Sequence, residues 1–195
     1  GSIKRIIADT YQSVSGAGGS AMVELREQSW ALLDGRTVDV KFQPQQIGFN
    51  VIPHIDVFQE NGYTWEEQKM IDESRKILHS PDIAISATCV RVPVYISHSV
   101  SVHIELENPI SVNEAKDSLR LMPGLQVMDD PANNIYPMPS DVAGKDDVYV
   151  GRIRQDASHP NGLVMWVVSD NLRKGAALNS IQIAEEMIER DCLRM

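Results

Sequence analysis

Arg91 and His98 are the residues hardest to reconcile with their surroundings. They lie in Thr88-Cys89-Val90-Arg91-Val92-Pro93-Val94-Tyr95-Ile96-Ser97-His98-Ser99, the most β-rich stretch of the chain. A guanidinium is a planar, forked donor suited to a carboxylate. An imidazole titrates near neutral pH and can carry protons. Set among Val and Ile, either group is costly without a partner. The even-numbered positions Val90, Val92, Val94, Ile96, Val100, Val102, Ile104 and Leu106 read as one apolar face, with His98 on it and Arg91 on the other. Their odd spacing points the two side chains opposite ways in an unbroken strand. To serve one site the chain must bend or bulge between them, and Pro93 and Ser97 are the places for it. The plainer alternative is an arginine facing solvent and a hydrogen-bonded core histidine.

Other candidates are weaker taken singly. Glu66 and Lys69 stand one turn apart near the start of a helical pattern, offering a carboxylate and an ammonium, or simply a solvated face. The small-residue run Ser13-Val14-Ser15-Gly16-Ala17-Gly18-Gly19-Ser20 joins a strand to a helix. That geometry can set backbone N–H groups around an anion or a cofactor ring. The run is neither a P-loop nor a GxGxxG turn, and a tight structural turn is the alternative. His54, in an apolar loop, reads as a packing residue or a catalytic one. Cys89 and Cys192 are too few for a disulfide framework and no metal spacing appears.

The elements that must position these groups follow from patterning. Ile3 to Gln12 reads as a strand. Ala21 to Leu33 reads as a helix, with Met22, Leu25, Trp30 and Leu33 as its apolar side. Residues 36–63 are irregular. Thr64 and Glu67 form a capping box opening a helix from Trp65 to about Leu78. Two long strands follow, about 83–95 and 97–107. Ser111 caps a helix from Val112 to Met122. Residues 123–147 form a long connection with one short strand near 125–128. Strands at 147–154 and 162–168 meet at a Pro160-Asn161-Gly162 turn. Ser169 or Asp170 caps a last helix, Leu172 to about Arg190, with Leu178, Ile181, Ala184 and Ile188 as its seam. The strands do not alternate with helices in βαβ order, so the expectation is an α+β fold.

With 195 residues, 43% hydrophobic and 23% charged, the chain is expected to form one soluble domain with a substantial core. Its formal net charge of −9 disfavours nucleic acid or an anionic membrane as partner. No apolar run reaches the roughly 20 residues a membrane span needs. Gly1-Ser2 reads as a cloning remnant, and the abrupt strand after it is expected of a piece of a longer protein.

Five blocks in order give the chain a specific likeness. They are Thr10-Tyr11-Gln12-Ser13-Val14-Ser15-Gly16-Ala17-Gly18; Gly48-Phe49-Asn50 with Pro53-His54-Ile55-Asp56; Ala87-Thr88-Cys89-Val90-Arg91-Val92-Pro93 with Ser97-His98-Ser99; Val150-Gly151-Arg152-Ile153-Arg154; and Trp166 through Ala177. Together they resemble the C-terminal part of aspartate-β-semialdehyde dehydrogenase, over nearly the whole chain from Ile3 to Ile188. The resemblance implies the glyceraldehyde-3-phosphate-dehydrogenase-like C-terminal domain, a mostly antiparallel sheet with helices on one face, its sheet forming a homodimer interface. It implies NADP-dependent reductive dephosphorylation of β-aspartyl phosphate to aspartate semialdehyde, on the route to lysine, threonine and methionine, in the cytoplasm. The mechanism it implies runs through a cysteine thioester.

By the same resemblance His98 matches the acid/base, its pKa lowered by an apolar setting. Arg91 matches the arginine that binds the substrate carboxylate. Glu66 matches the acid that holds the amino group, and Lys69 the phosphate-binding lysine, the two reading opposite ends of the substrate. Gln12 matches the glutamine that positions substrate. Ser15 and Gly16 match the loop along the nicotinamide, and Asn171 is a further cofactor match. The family's nucleophile sits in an Asn-Cys-Ser/Thr motif that this chain lacks, and neither Cys89 nor Cys192 matches it. The NADP-binding N-terminal Rossmann domain is missing too, so residues 3–195 are expected to be inactive alone. Two other readings stay open: a non-catalytic dimerising or ligand-binding module of the same fold, and a sibling enzyme such as an N-acetyl-γ-glutamyl-phosphate reductase or a phosphorylating glyceraldehyde-3-phosphate dehydrogenase.

Overall fold

The computed structural model describes residues 2–192, so Gly1 of the expected cloning remnant and residues 193–195 lie outside the described residues. Six strands form one sheet in the order β2-β1-β3-β6-β5-β4. They are β1 (Ile3–Gln12), β2 (Ala84–Arg91), β3 (His98–Leu106), β4 (Leu125–Val127), β5 (Val148–Gln155) and β6 (Gly162–Ser169). The helices are α1 (Gly19–Leu33), α2 (Trp65–Ile77), α3 (Val112–Arg120), α4 (Pro139–Val142) and α5 (Leu178–Glu189). Among the described residues no helix is long and apolar enough to cross a membrane.

The fold is α+β with a mixed sheet. Three strand pairings, β1–β3, β3–β6 and β5–β6, are antiparallel, whereas β1–β2 and β4–β5 are parallel. The expectation of no βαβ order is therefore corrected. β1 reaches its parallel neighbour β2 through a connection that carries α1 and α2, as a parallel pair requires. Two clusters hold the molecule together. On the sheet, Leu106, Val150, Ile153 and Leu163 bury against Ala115 of α3. Beside it, Val14, Ala21, Leu25, Ile47 and Ile52 join α1 to the irregular segment.

The face α1 buries is only partly the one expected. Leu25 is buried and Met22 packs beside it, but Trp30 and Leu33 are exposed. Inward with Leu25 come Ala21, Glu24, Gln28 and Ala31. The two polar members have work to do, because a segment without ladder partners must bond its buried N–H groups elsewhere. The Glu24 carboxylate accepts from the main-chain N–H groups of Lys41, Phe42 and Gln43. Gln28 Oε1 accepts from those of Ile47 and Gly48 at 2.8 and 2.9 Å. The segment then covers the open edge of β2, where Ile52 and Arg91 exchange both main-chain bonds.

The helix after it is docked by its own cap. Thr64 and Glu67 make the expected capping box. Glu67 goes further: Oε2 accepts from Thr64 N–H at 2.8 Å, and Oε1 from Cys89 N–H of β2 at 2.9 Å. One buried carboxylate thus closes the helix start and ties it to the sheet edge. Thr64→Ala is expected to cost about 1 kcal/mol, the usual loss of a cap. Glu67→Ala should cost more, since two buried donors lose their acceptor at about 1–3 kcal/mol each. Urea midpoints check this; equal losses would show that the tie to β2 contributes nothing.

Two other expectations need correction. The first long strand ends early, at Arg91 rather than about residue 95, while the second, β3, keeps close to its expected bounds. The last helix is not continuous either. Asp170 Oδ1 caps it through Leu172 N–H at 2.8 Å, but a π-helical turn at Arg173–Ala177, kinked at Ala176, precedes α5. The seam fails too, as α5 buries no residue against the rest of the chain and Ile181 and Ile188 are exposed.

Candidate active site

Register brings the distant groups together. Arg91 pairs with Gln12, and His98 with Ser169, while His98 lies one step beyond the Tyr11–Ser99 pair. Arg91, Gln12 and His98 therefore end three adjacent strands in one row, and paired residues share a face. The apolar face expected along the even-numbered positions does not run through. Residues 92–97 leave the ladder and cross the end of β1, where Val92 N–H bonds Gln12 O. Ser97, fully buried at φ 76°, makes the return. That left-handed turn is uncommon for a non-glycine residue. It turns the odd spacing into a common direction.

Arg91 is 6% exposed. Its Nη1 donates to the Ser13 carbonyl at 2.9 Å, and its buried Nε has no acceptor. Burial lowers its pKa, and the carboxylate opposing that is Glu66. A buried cation with so few partners is not explained by the fold alone. A cleft of about 360 Å³ opens beside it, lined also by Ala17, Phe42, Gln43, His54 and Asp56. His54 stacks on Phe58 with ring centroids 4.3 Å apart, which makes it a packing residue of that wall.

Gln12, also 6% exposed, donates from Nε2 to Glu66 Oε1 at 3.3 Å. The other oxygen of Glu66 pairs with Lys69 Nζ at 2.6 Å. Glu66 and Lys69 thus hold each other in this state rather than standing at opposite ends of a ligand. The Glu66 hydrogen bond raises the Lys69 pKa. Lys69 is half exposed, so the pair is worth about 0–1 kcal/mol and a ligand can part it.

The Ser/Gly loop is spoken for in detail. Val14 and Ser15 N–H bond the carbonyls of Val94 and Tyr95, and Gly16 N–H bonds Ser13 O. The N–H groups of residues 14–16 are therefore not free to cradle an anion. Asn171 is turned into the loop: Nδ2 donates to Ser15 Oγ at 2.9 Å, and Oδ1 accepts from Ser97 N–H at 3.0 Å. Gly16 has a different reason to be glycine. A Cβ there would stand 3.1 Å from Arg91 Nη1 and 3.2 Å from His98 Nε2. Gly18 and Gly19 have open space where side chains would stand.

His98 Nδ1 accepts from Ser13 N–H at 3.1 Å. Burial first, and Arg91 second, lower the His98 pKa to about 4. Unfolded, the ring titrates near 6.5. On acidification from about pH 6.5 to 4 the unfolded chain binds a proton that the folded one refuses, so stability falls across that window. Urea midpoints between pH 7 and 4 should show the decline, reduced in His98→Gln; an identical slope would mean that the ring titrates freely.

Ser97 is the bend expected from sequence, though its hydrogen bond to Asn171 is not, and Ser13 was not singled out. Both lie inside the blocks of likeness, but serine gives no signal of contact with a ring 85 residues away.

Residues 1–174 match the family model described as semialdehyde dehydrogenase, dimerisation domain. The chain belongs to this family. Relatives named aspartate-semialdehyde dehydrogenase are similar along it: that of Aquifex aeolicus is 52% identical over 189 residues, spanning 96% of this chain and 55% of the relative. That of Bacillus subtilis is 49% identical over 193 residues, with 95% and 56% spanned. A Vibrio cholerae aspartate semialdehyde dehydrogenase II, crystallised in complex with ASA, superposes with a TM-score of 0.92 at 46% identity, over 96% of this chain and 55% of that one. The semialdehyde dehydrogenase domain seen here thus spans about half the length of these relatives. The α+β architecture is theirs as well.

Proposed function

We propose that this chain is the C-terminal, substrate-binding half of an NADP-dependent aspartate-semialdehyde dehydrogenase, converting β-aspartyl phosphate to aspartate semialdehyde and phosphate. The buried, under-partnered Arg91 guanidinium carries the reading, because the group that fits it is a substrate carboxylate. The Vibrio cholerae relative's complex with ASA supports it. In this reading Arg91 holds the carboxylate, Gln12 orients the chain of the substrate, and Glu66 receives the ammonium as Lys69 turns to phosphate. His98 faces the oxygen of the reacting acyl carbon.

NADPH, when bound, supplies the hydride; Ser15, Gly16 and the open strip at Gly18 and Gly19 are where its ring would lie, with Asn171 holding Ser15. The nucleophilic thiol comes from the other half of the enzyme. Cys89 is fully buried beside Met70, and burial pushes its thiol up to about 11. Such a thiol is inert. The family description supports a homodimer, and the sheet face away from the site leaves Tyr11 exposed, its ring 5.1 Å from Trp166.

Phosphate-dependent formation of NADPH from aspartate semialdehyde tests this. The intact enzyme should catalyse it and this chain alone should not. Turnover by this chain would place the thiolate within it and overturn the two-half reading; no turnover by the intact enzyme would overturn the activity.

A further inference from the structure

We propose that the Gln43 side chain is a second donor to the substrate carboxylate that Arg91 holds, and so a specificity-determining residue of the cleft. The carboxylate is the one in the function proposed above, and the inference rests on that reading. Among the described residues, two buried side-chain nitrogens lack a hydrogen-bond partner: Arg91 Nε and Gln43 Nε2. Both residues line the same cleft of about 360 Å³. Gln43 is 7% exposed. A buried donor without an acceptor costs stability, and native chains keep few of them. Two at one cavity have a common reason in an anion that enters it.

The chemistry of the ligand asks for more than Arg91. A carboxylate offers about four acceptor positions, and one guanidinium edge fills two of them. Arg91 Nη1 is already committed to the Ser13 carbonyl. The remaining lone pairs need donors once water is excluded. Of the other polar side chains lining the cleft, Asp56 is itself a carboxylate, its Oδ1 accepting from Val57 N–H at 2.7 Å, and His54 is stacked on Phe58. Gln43 brings a neutral NH₂ with two hydrogens to give. Its place is set by its main chain rather than its side chain. The buried Glu24 carboxylate of α1 accepts from Gln43 N–H at 3.0 Å and from Lys41 N–H at 2.6 Å. The loop is thereby fixed while the amide NH₂ is left without a partner, and χ3 of a glutamine turns at little cost. Gln43 meets the carboxylate and not the reacting carbon, so it acts on binding and selectivity.

Gln43→Met in the intact enzyme keeps the reach of the side chain and removes the donor. KM for aspartate semialdehyde should rise about 10- to 100-fold with kcat held, the loss of a hydrogen bond to a charged group that substrate and transition state share. The urea midpoint should hold or rise, since the free protein no longer buries an unpartnered donor. A glutamine kept only for packing would instead lower the midpoint and leave KM unchanged. Arg91→Lys supplies the second background. There Gln43→Met should lower kcat/KM by a smaller factor than in wild type, because two donors to one carboxylate are coupled. Equal factors in the two backgrounds would mean separate groups and would overturn the inference, as would wild-type KM in Gln43→Met. Either result, with the intact enzyme still turning over, leaves the proposed function standing. An intact enzyme that does not turn over strikes that function, and the inference with it.

Discussion

His98→Ala in the intact enzyme is expected to lower kcat by about 10²–10⁴-fold, the range for losing a positioned acid or base. The fold should survive, because the ring's contacts are local: Ser13 on one side and the space above Gly16 on the other. Its depressed pKa, about 4, keeps it neutral at working pH. The loss of rate should therefore change little between pH 6 and 8. Unchanged kcat would make His98 a core histidine satisfied by Ser13, the plain alternative that its sequence leaves open.

Arg91→Lys is expected to raise KM for the acyl phosphate about 10- to 100-fold although the charge is formally kept. A hydrogen bond to a charged group is worth about 1.5–3 kcal/mol. Lysine loses the forked, planar donor set. It is also the weaker tenant of a site where burial already lowers the guanidinium pKa, because an ammonium gives up its proton more readily. The Ser13 carbonyl, now at 2.9 Å from Nη1, would lose a partner as well. A lysine variant with wild-type KM would mean that no carboxylate docks on Arg91.

Local chemistry was legible wherever neighbours in sequence decide the outcome. Thr64 with Glu67 and Ser111 with Glu114 both close capping boxes, and the strand from Ile3 to Gln12 has the expected ends. Long-range pairing was not. Period-two patterning carries one apolar face across 90–106 and the first strand to about residue 95, while the ladder breaks at Arg91 because residues 92–97 must cross β1. No local signal marks β1 as the neighbour of both halves. The α1 face was partly misjudged because Glu24 and Gln28 look like surface residues; only the ladder-less loop from Lys41 to Gly48 gives them buried partners. In the site, the likeness to the dehydrogenases named Gln12, Arg91, Glu66 and His98, and the fold sets them at one end of the sheet. Lys69 paired with Glu66 and Asn171 turned toward Ser15 depend on side-chain geometry that residue types do not encode.

The central claim is that Gln12, Glu66, Arg91 and His98 form one receptor for a small zwitterion. A crystal structure of the intact enzyme with aspartate semialdehyde bound tests it most directly. The ligand carboxylate should lie on the Arg91 fork, its ammonium on Glu66, and its aldehyde-derived oxygen within hydrogen-bond distance of His98 Nε2. A ligand seated elsewhere, with Arg91 Nε still lacking an acceptor and Glu66 still closed on Lys69, would contradict the account.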